Sequence, residues 1–103
     1  MIKVSVMYPD TGGARFDMTY YLDRHIPMVR RLMGDVLKGI HVEQGLAGGG
    51  PDAPAPYVAM GHLLFDSVDA FQAAFAQHSA AIMADIPNYT NTQPTVQISQ
   101  VKL

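Results

Sequence analysis

Four histidines, five tyrosines and no cysteine set the chemical inventory of this 103-residue chain. His25 leads it, because it falls in Tyr20-Tyr21-Leu22-Asp23-Arg24-His25-Ile26-Pro27, a stretch with helical spacing that a proline interrupts. Proline within a helix removes one hydrogen bond and presses its ring against the carbonyl four residues back. A carbonyl freed in this way can hold one imidazole nitrogen and fix its tautomer. The other nitrogen is then directed into a cavity as a base, an acid or a hydrogen-bond donor. The plainer alternative is a core histidine satisfied by that carbonyl, with no ligand involved. Tyr20 and Tyr21 carry the same pair of readings, as ligand contacts or as amphipathic rings packed with the hydroxyl at the rim.

His62 and His41 sit in two different strands and can in principle meet a ligand, although plain solvent exposure accounts equally for His41 and His78. No His-x-His or His-Glu-x-x-His spacing occurs, so no metal site is expected. The absence of Cys removes disulfides, thiolate catalysis and Cys-ligated zinc or iron–sulfur centres. There is no Gly-x-Ser-x-Gly turn, and Gly48-Gly49-Gly50 lacks the Lys and following helix of a phosphate loop. Flavin and nicotinamide motifs are absent too, so no cofactor is expected. The segment Asp85-Ile-Pro-Asn88-Tyr89-Thr90-Asn91 gathers short polar side chains ahead of the last strand, where they line a pocket mouth or make a turn.

The elements that must position these residues follow from periodicity. Ile2, Val4 and Val6 alternate with Lys3, Ser5 and Met7, which predicts a half-buried first strand ending at Pro9. Asp17 is the natural N-cap of a helix whose stripe is Tyr21, Leu22, His25, Met28, Val29, Leu32 and Met33, with a kink or break at Pro27 and a stop at Gly34. Alternation returns from Leu37 to Gly45 as a second strand. A Gly- and Pro-rich loop covers Ala47 to Pro56, and a third strand runs from Tyr57 to Phe65. Ser67 caps a second helix with the stripe Val68, Phe71, Ala74 and Phe75, which continues to Pro87. Thr95 to Leu103 is the fourth strand.

The order βαββαβ over residues 1–103 predicts one α+β domain of ferredoxin-like type: an antiparallel four-stranded sheet with both helices on one face. Ile2, Val4, Val6, Ile40, Val42, Val96 and Ile98 should lie beneath the helices. The opposite face, with Lys3, Ser5, Met7, His41, Glu43, Gln97, Ser99 and Val101, suits either solvent or a second subunit. Hydrophobic residues make up 49% and charged residues 16%, a balance that argues for a packed globule and against disorder. A net charge of -2, with no basic stripe beyond Arg30 and Arg31, makes nucleic acid an unsuitable partner. No membrane partner is expected, and the N-terminus reads as a strand of a cytoplasmic protein rather than a signal peptide.

Several of these features together resemble the EthD family, named for a protein of ethyl tert-butyl ether degradation. They are Phe16-Asp17-x-x-Tyr20-Tyr21-x-x-x-His25-x-Pro27, the helix start Ser67-x-x-Ala70-Phe71, and Asp85-Ile-Pro-Asn-Tyr-Thr-Asn91 with its following strand. The resemblance implies a dimeric α+β barrel in which two sheets pack face to face, hence a homodimer. It also implies a small apolar organic ligand and chemistry without a cofactor, of isomerase or oxygenase type. His25 matches the family histidine as candidate catalytic residue; Tyr20, Tyr21 and Asn91 match motif positions and are candidate substrate contacts, to which His62 is added from its place in the third strand. An accessory protein that sequesters a hydrophobic metabolite or delivers it to a partner oxygenase is the alternative.

Overall fold

The computed structural model describes residues 1–103. Four strands, β1 (Ile2–Pro9), β2 (Gly39–Gln44), β3 (Tyr57–Phe65) and β4 (Thr95–Gln100), form one sheet in the order β2-β3-β1-β4, with β1–β3, β1–β4 and β2–β3 all antiparallel. The ferredoxin-like α+β arrangement expected from the sequence is therefore present. Observed β2 and β4 are shorter at their ends than the alternation suggested.

Register decides which side chains share a face. Ile2, Val4, Val6 and Tyr8 lie opposite Phe65, Leu63, Gly61 and Ala59, and this parity faces the helices. Val4, Tyr8, Ala59 and Phe65 are buried there. Each fully buried large side chain of this kind stabilises by about 1.5–3 kcal/mol.

The first helical segment starts after Asp17, whose carboxylate accepts from the Tyr20 N–H, and is composite. A short α1 (Met18–Tyr20) passes into a π turn over Tyr21–His25, then α2 (Ile26–Met33), then a 3-10 turn over Gly34–Val36. Pro27 is the physical cause of the irregularity: it cannot donate to the carbonyl of Asp23, and its ring crowds that carbonyl. The chain widens instead of breaking, so the Ile26 N–H reaches back five residues to the Tyr21 carbonyl. The extra residue in the turn shifts the buried stripe. Tyr21, His25, Ile26, Val29 and Met33 point inward while Leu22, expected inside, is 46% exposed. Gly34 ends α2 at φ 64, a conformation that suits glycine.

α3 (Val68–Asp85) is capped by Ser67, whose hydroxyl accepts from the Ala70 N–H, and ends in a 3-10 turn at Ile86–Asn88 that contains Pro87. Two apolar clusters hold the layers together. One joins Ile2, Val4, Phe65, Val29, Met33, Phe71 and Ile82; the other joins Tyr8, Ala59, Tyr21, Ile26 and Tyr89. The helices do not cover the sheet evenly. Val96 and Ile98, expected beneath them, remain 56% and 38% exposed on the edge strand β4. No helix is long and apolar enough to cross a membrane.

Candidate active site

The uncovered part of the helix-facing sheet opens into a cavity of about 360 Å3. Its floor is β1 and β3, its walls are α2 and α3, and the residues before β4 form its rim. Tyr21 and His25 of the π turn line it, as does Tyr8 at the end of β1. The widened turn thus sets two polar side chains against a mostly apolar space.

His25 is 4% exposed, yet its ring is fully engaged. Nδ1 lies 2.8 Å from Asp85 Oδ2 at the end of α3, and a carboxylate can only accept, so Nδ1 carries the proton. The freed carbonyl anticipated from Pro27 is not the partner; the side chain of Asp85 is. Nε2 is left with its lone pair toward the Tyr89 hydroxyl, 3.5 Å away. Tyr21 stacks on the imidazole with ring centroids 5.4 Å apart, and Tyr89 flanks it at 4.6 Å. Together these contacts fix the ring's orientation as well as its tautomer.

Asp85 is itself held in place. Its Oδ1 accepts from the Tyr20 hydroxyl at 2.6 Å and from Asn88 Nδ2 at 3.0 Å. Desolvation pushes its carboxyl up, but the hydrogen bonds from Tyr20, Asn88 and His25 outweigh that and hold it below the usual value. Burial lowers the His25 pKa below an ordinary imidazole, against the upward pull of Asp85. At neutral pH the pair is therefore a neutral imidazole backed by a carboxylate. Behind it the Tyr8 and Tyr89 hydroxyls bond at 2.7 Å, and burial raises the pKa of Tyr8, Tyr21 and Tyr89. All three stay protonated, so none of them acts as a base.

Of the residues singled out in the sequence, His25, Tyr21 and Tyr20 come together here, Tyr20 through its bond to Asp85 rather than by lining the cavity. His62 does not join them. It pairs with Ser5 across the sheet, a parity that faces away from the helices, and its Nδ1 and Nε2 contact Ser5 Oγ at 2.8 Å and Glu43 Oε1 at 3.0 Å. Asn91 is also outside the cavity: its amide accepts from the Arg15 N–H at 2.7 Å and donates to the Gly13 carbonyl at 3.1 Å, shaping the loop beside the mouth. Thr90 and Thr92 anchor the same loop to the carbonyls of Arg15 and Pro9. No three His, Asp or Glu side chains converge as a metal cluster would.

Sequence reasoning did not assign roles to Asp85, Tyr89 or Tyr8. Asp85 and Tyr89 lay within a segment already noted for its polar residues, and Tyr8 continues the inward parity of Ile2, Val4 and Val6.

Comparison with known proteins places this geometry in a family. The EthD domain model matches residues 14–93. The crystal structure of an EthD-like protein from Ralstonia eutropha JMP134 is similar with a TM-score of 0.94 and 50% identity, covering 99% of this chain and 92% of that one. An ethyl tert-butyl ether degradation (EthD) family protein from Bacillus halodurans C-125 shares the fold with a TM-score of 0.74 and 19% identity, covering 99% of each chain. HapK from Hahella chejuensis shares it more distantly, with a TM-score of 0.56, 13% identity and coverage of 100% of this chain and 95% of that one. No curated protein matches the chain. The match over most of the sequence and the half-identical solved structure establish that this chain belongs to the EthD family.

Proposed function

We propose that the chain binds a small, mostly apolar, oxygenated molecule in the His25 cavity and acts on it without a cofactor, His25 Nε2 removing a proton in an isomerase- or oxygenase-type reaction. The observation that carries this reading is the 2.8 Å bond between His25 Nδ1 and Asp85 at the wall of an apolar cavity. A buried imidazole backed by a carboxylate is a general base with a set tautomer, and positioned proton transfer of this kind contributes roughly 10²–10⁴-fold to rate. Deprotonation beside a carbonyl, or of a phenol, is a first step common to isomerisation and to reaction with dioxygen. His25→Ala should then abolish turnover of a cavity ligand while the protein stays folded; equal turnover by the variant refutes the base.

One observation favours the alternative of a carrier that sequesters or delivers its ligand: the Tyr89 hydroxyl already faces Nε2, so the nitrogen is not vacant at rest. A carrier binds the ligand with Tyr89 in place and releases it unchanged. Conversion of a bound compound by the purified protein alone rules that out.

The working unit in this reading is a homodimer, with the outer sheet faces packed together. Met7, Met60 and Leu64 share that face with the Ser5–His62–Glu43 cluster, a mixture better suited to partial burial than to water. Light scattering at micromolar concentration should give twice the 11.2 kDa chain mass. A monomer mass contradicts the dimer.

A further inference from the structure

The cavity takes up charge poorly, and that restricts what it holds. No Lys, Arg, Asp or Glu lines it, and 14 of its 18 lining residues are hydrophobic. Every Arg is exposed, and Lys3 lies on the opposite sheet face. The polar groups that line it are His25, the hydroxyls of Tyr8 and Tyr21, of which Tyr8 is already bonded to Tyr89 at 2.7 Å, and the side-chain amide of Gln93 at the rim. None of these is a cation at neutral pH. Imidazole becomes one only by taking up a proton at Nε2, since Nδ1–H is already bonded to Asp85 at 2.8 Å.

We propose that this site selects uncharged ligands, compounds with a ketone, ester, quinone or phenol oxygen, and excludes carboxylates and phosphates of the same size and shape. The proposal deepens the reading of the cavity as a ligand site and rests on it. An anion entering here leaves its hydration behind and meets no countercharge, whereas a neutral carbonyl needs only one donor. The Tyr21 hydroxyl supplies that donor without itself giving up a proton. The same lining bears on reactivity: negative charge is tolerated only as it develops on a substrate oxygen during proton removal, with the imidazolium formed at His25 as its countercharge. Lactones or dienes that carry a free carboxylate are thereby set apart from their esters.

The experiment compares two probes with the same number of heavy atoms, 2-acetylnaphthalene and 2-naphthoate, by isothermal titration calorimetry at pH 7.5. Binding is measured for wild type, for Val6→Phe, which fills the cavity floor, and for Gln93→Arg, which adds a cation at the exposed rim. Thermal melts check that each variant is folded. The expected result is that the ketone binds wild type at least about a hundredfold more tightly than the carboxylate, the order expected for an unpaired buried charge. Val6→Phe should abolish ketone binding, and Gln93→Arg should gain affinity for the carboxylate.

Comparable affinity for both probes, lost in Val6→Phe, overturns charge selection while the cavity remains a ligand site. Ketone binding undiminished in folded Val6→Phe, or no binding of either probe, overturns the site itself and the selection with it.

Discussion

The replacement Asp85→Asn isolates what the carboxylate does for His25. The change keeps the shape of the side chain and removes its charge. In the native protein Oδ2 receives Nδ1–H at 2.8 Å, so the tautomer with a bare Nε2 is enforced. An amide offers both an acceptor and a donor at that position, and when its NH2 group turns toward Nδ1 the proton moves to Nε2, the nitrogen intended as base. A wrong tautomer in an otherwise intact site lowers turnover by roughly 10²–10⁴-fold. The stability effect is small by comparison. Exchanging a charged acceptor for a neutral one in the His25 bond costs about 1 kcal/mol, equivalent to a fall in melting temperature of roughly 4–8 °C in a domain of this size. Losing the Asp85 charge also removes the influence that raises the His25 pKa, so the imidazole of the variant should titrate lower than in wild type. Nitrogen-15 NMR of the imidazole reads both tautomer and titration directly. A variant that keeps the Nδ1–H tautomer, the native titration midpoint and native turnover refutes the positioning role of Asp85.

Three further outcomes follow from the same geometry. Because burial depresses the folded-state pKa of His25 below 6.5, the unfolded chain binds the proton first on acidification, and stability present above pH 6.5 declines below it by up to about 1.4 kcal/mol per pH unit until the folded pKa is reached. Urea unfolding of His25→Gln across this range should lack that limb, and an unchanged slope contradicts it. Gly61 allows the Tyr21 hydroxyl to approach the sheet, since a Cβ there would collide with it. Gly61→Ala should destabilise by roughly 1–3 kcal/mol, and adding Tyr21→Phe should recover part of the loss; strict additivity of the two changes argues against the contact. Ser67→Ala removes the cap of α3 and should lower stability by about 1 kcal/mol, measured by denaturant midpoint, with no effect on ligand affinity because Ser67 is not among the cavity residues.

The parts of the fold that depend on local pattern were legible, and those that depend on register or distance were not. Alternation from Ile2 to Val6 placed β1, and Asp17, Gly34 and Ser67 marked helix ends because caps act within one turn. Strand β3 hides its faces: Tyr57-Val-Ala-Met-Gly-His-Leu-Leu-Phe65 is apolar on both parities, so only pairing with Ser5 shows that His62 looks away from the helices. Pro27 signalled an irregularity, but a break and a π turn have the same local cause, and the widened turn was chosen by the packing of Tyr21 and Ile26 on the sheet. His25 was legible as a candidate from its place beside that turn. Its partner was not, because Asp85 is 60 residues away and no periodicity joins a helix interior to the end of another helix. The cavity was equally hidden, since Val96 lines it where the helices leave β4 uncovered, and apolar alternation in β4 reads as core.

The most direct test of the His25 cavity as the functional centre is a thermal-shift panel of small lactones, phenols, quinones and dienoic acids against wild type and His25→Ala. A ligand at a hundred times its dissociation constant stabilises the native state by about 2.7 kcal/mol, a readily resolved shift. The account predicts neutral members of the panel that stabilise wild type, with the shift reduced or lost in a folded His25→Ala. Hits that stabilise both proteins equally, or a panel with no hits at all against a folded wild type, would contradict it.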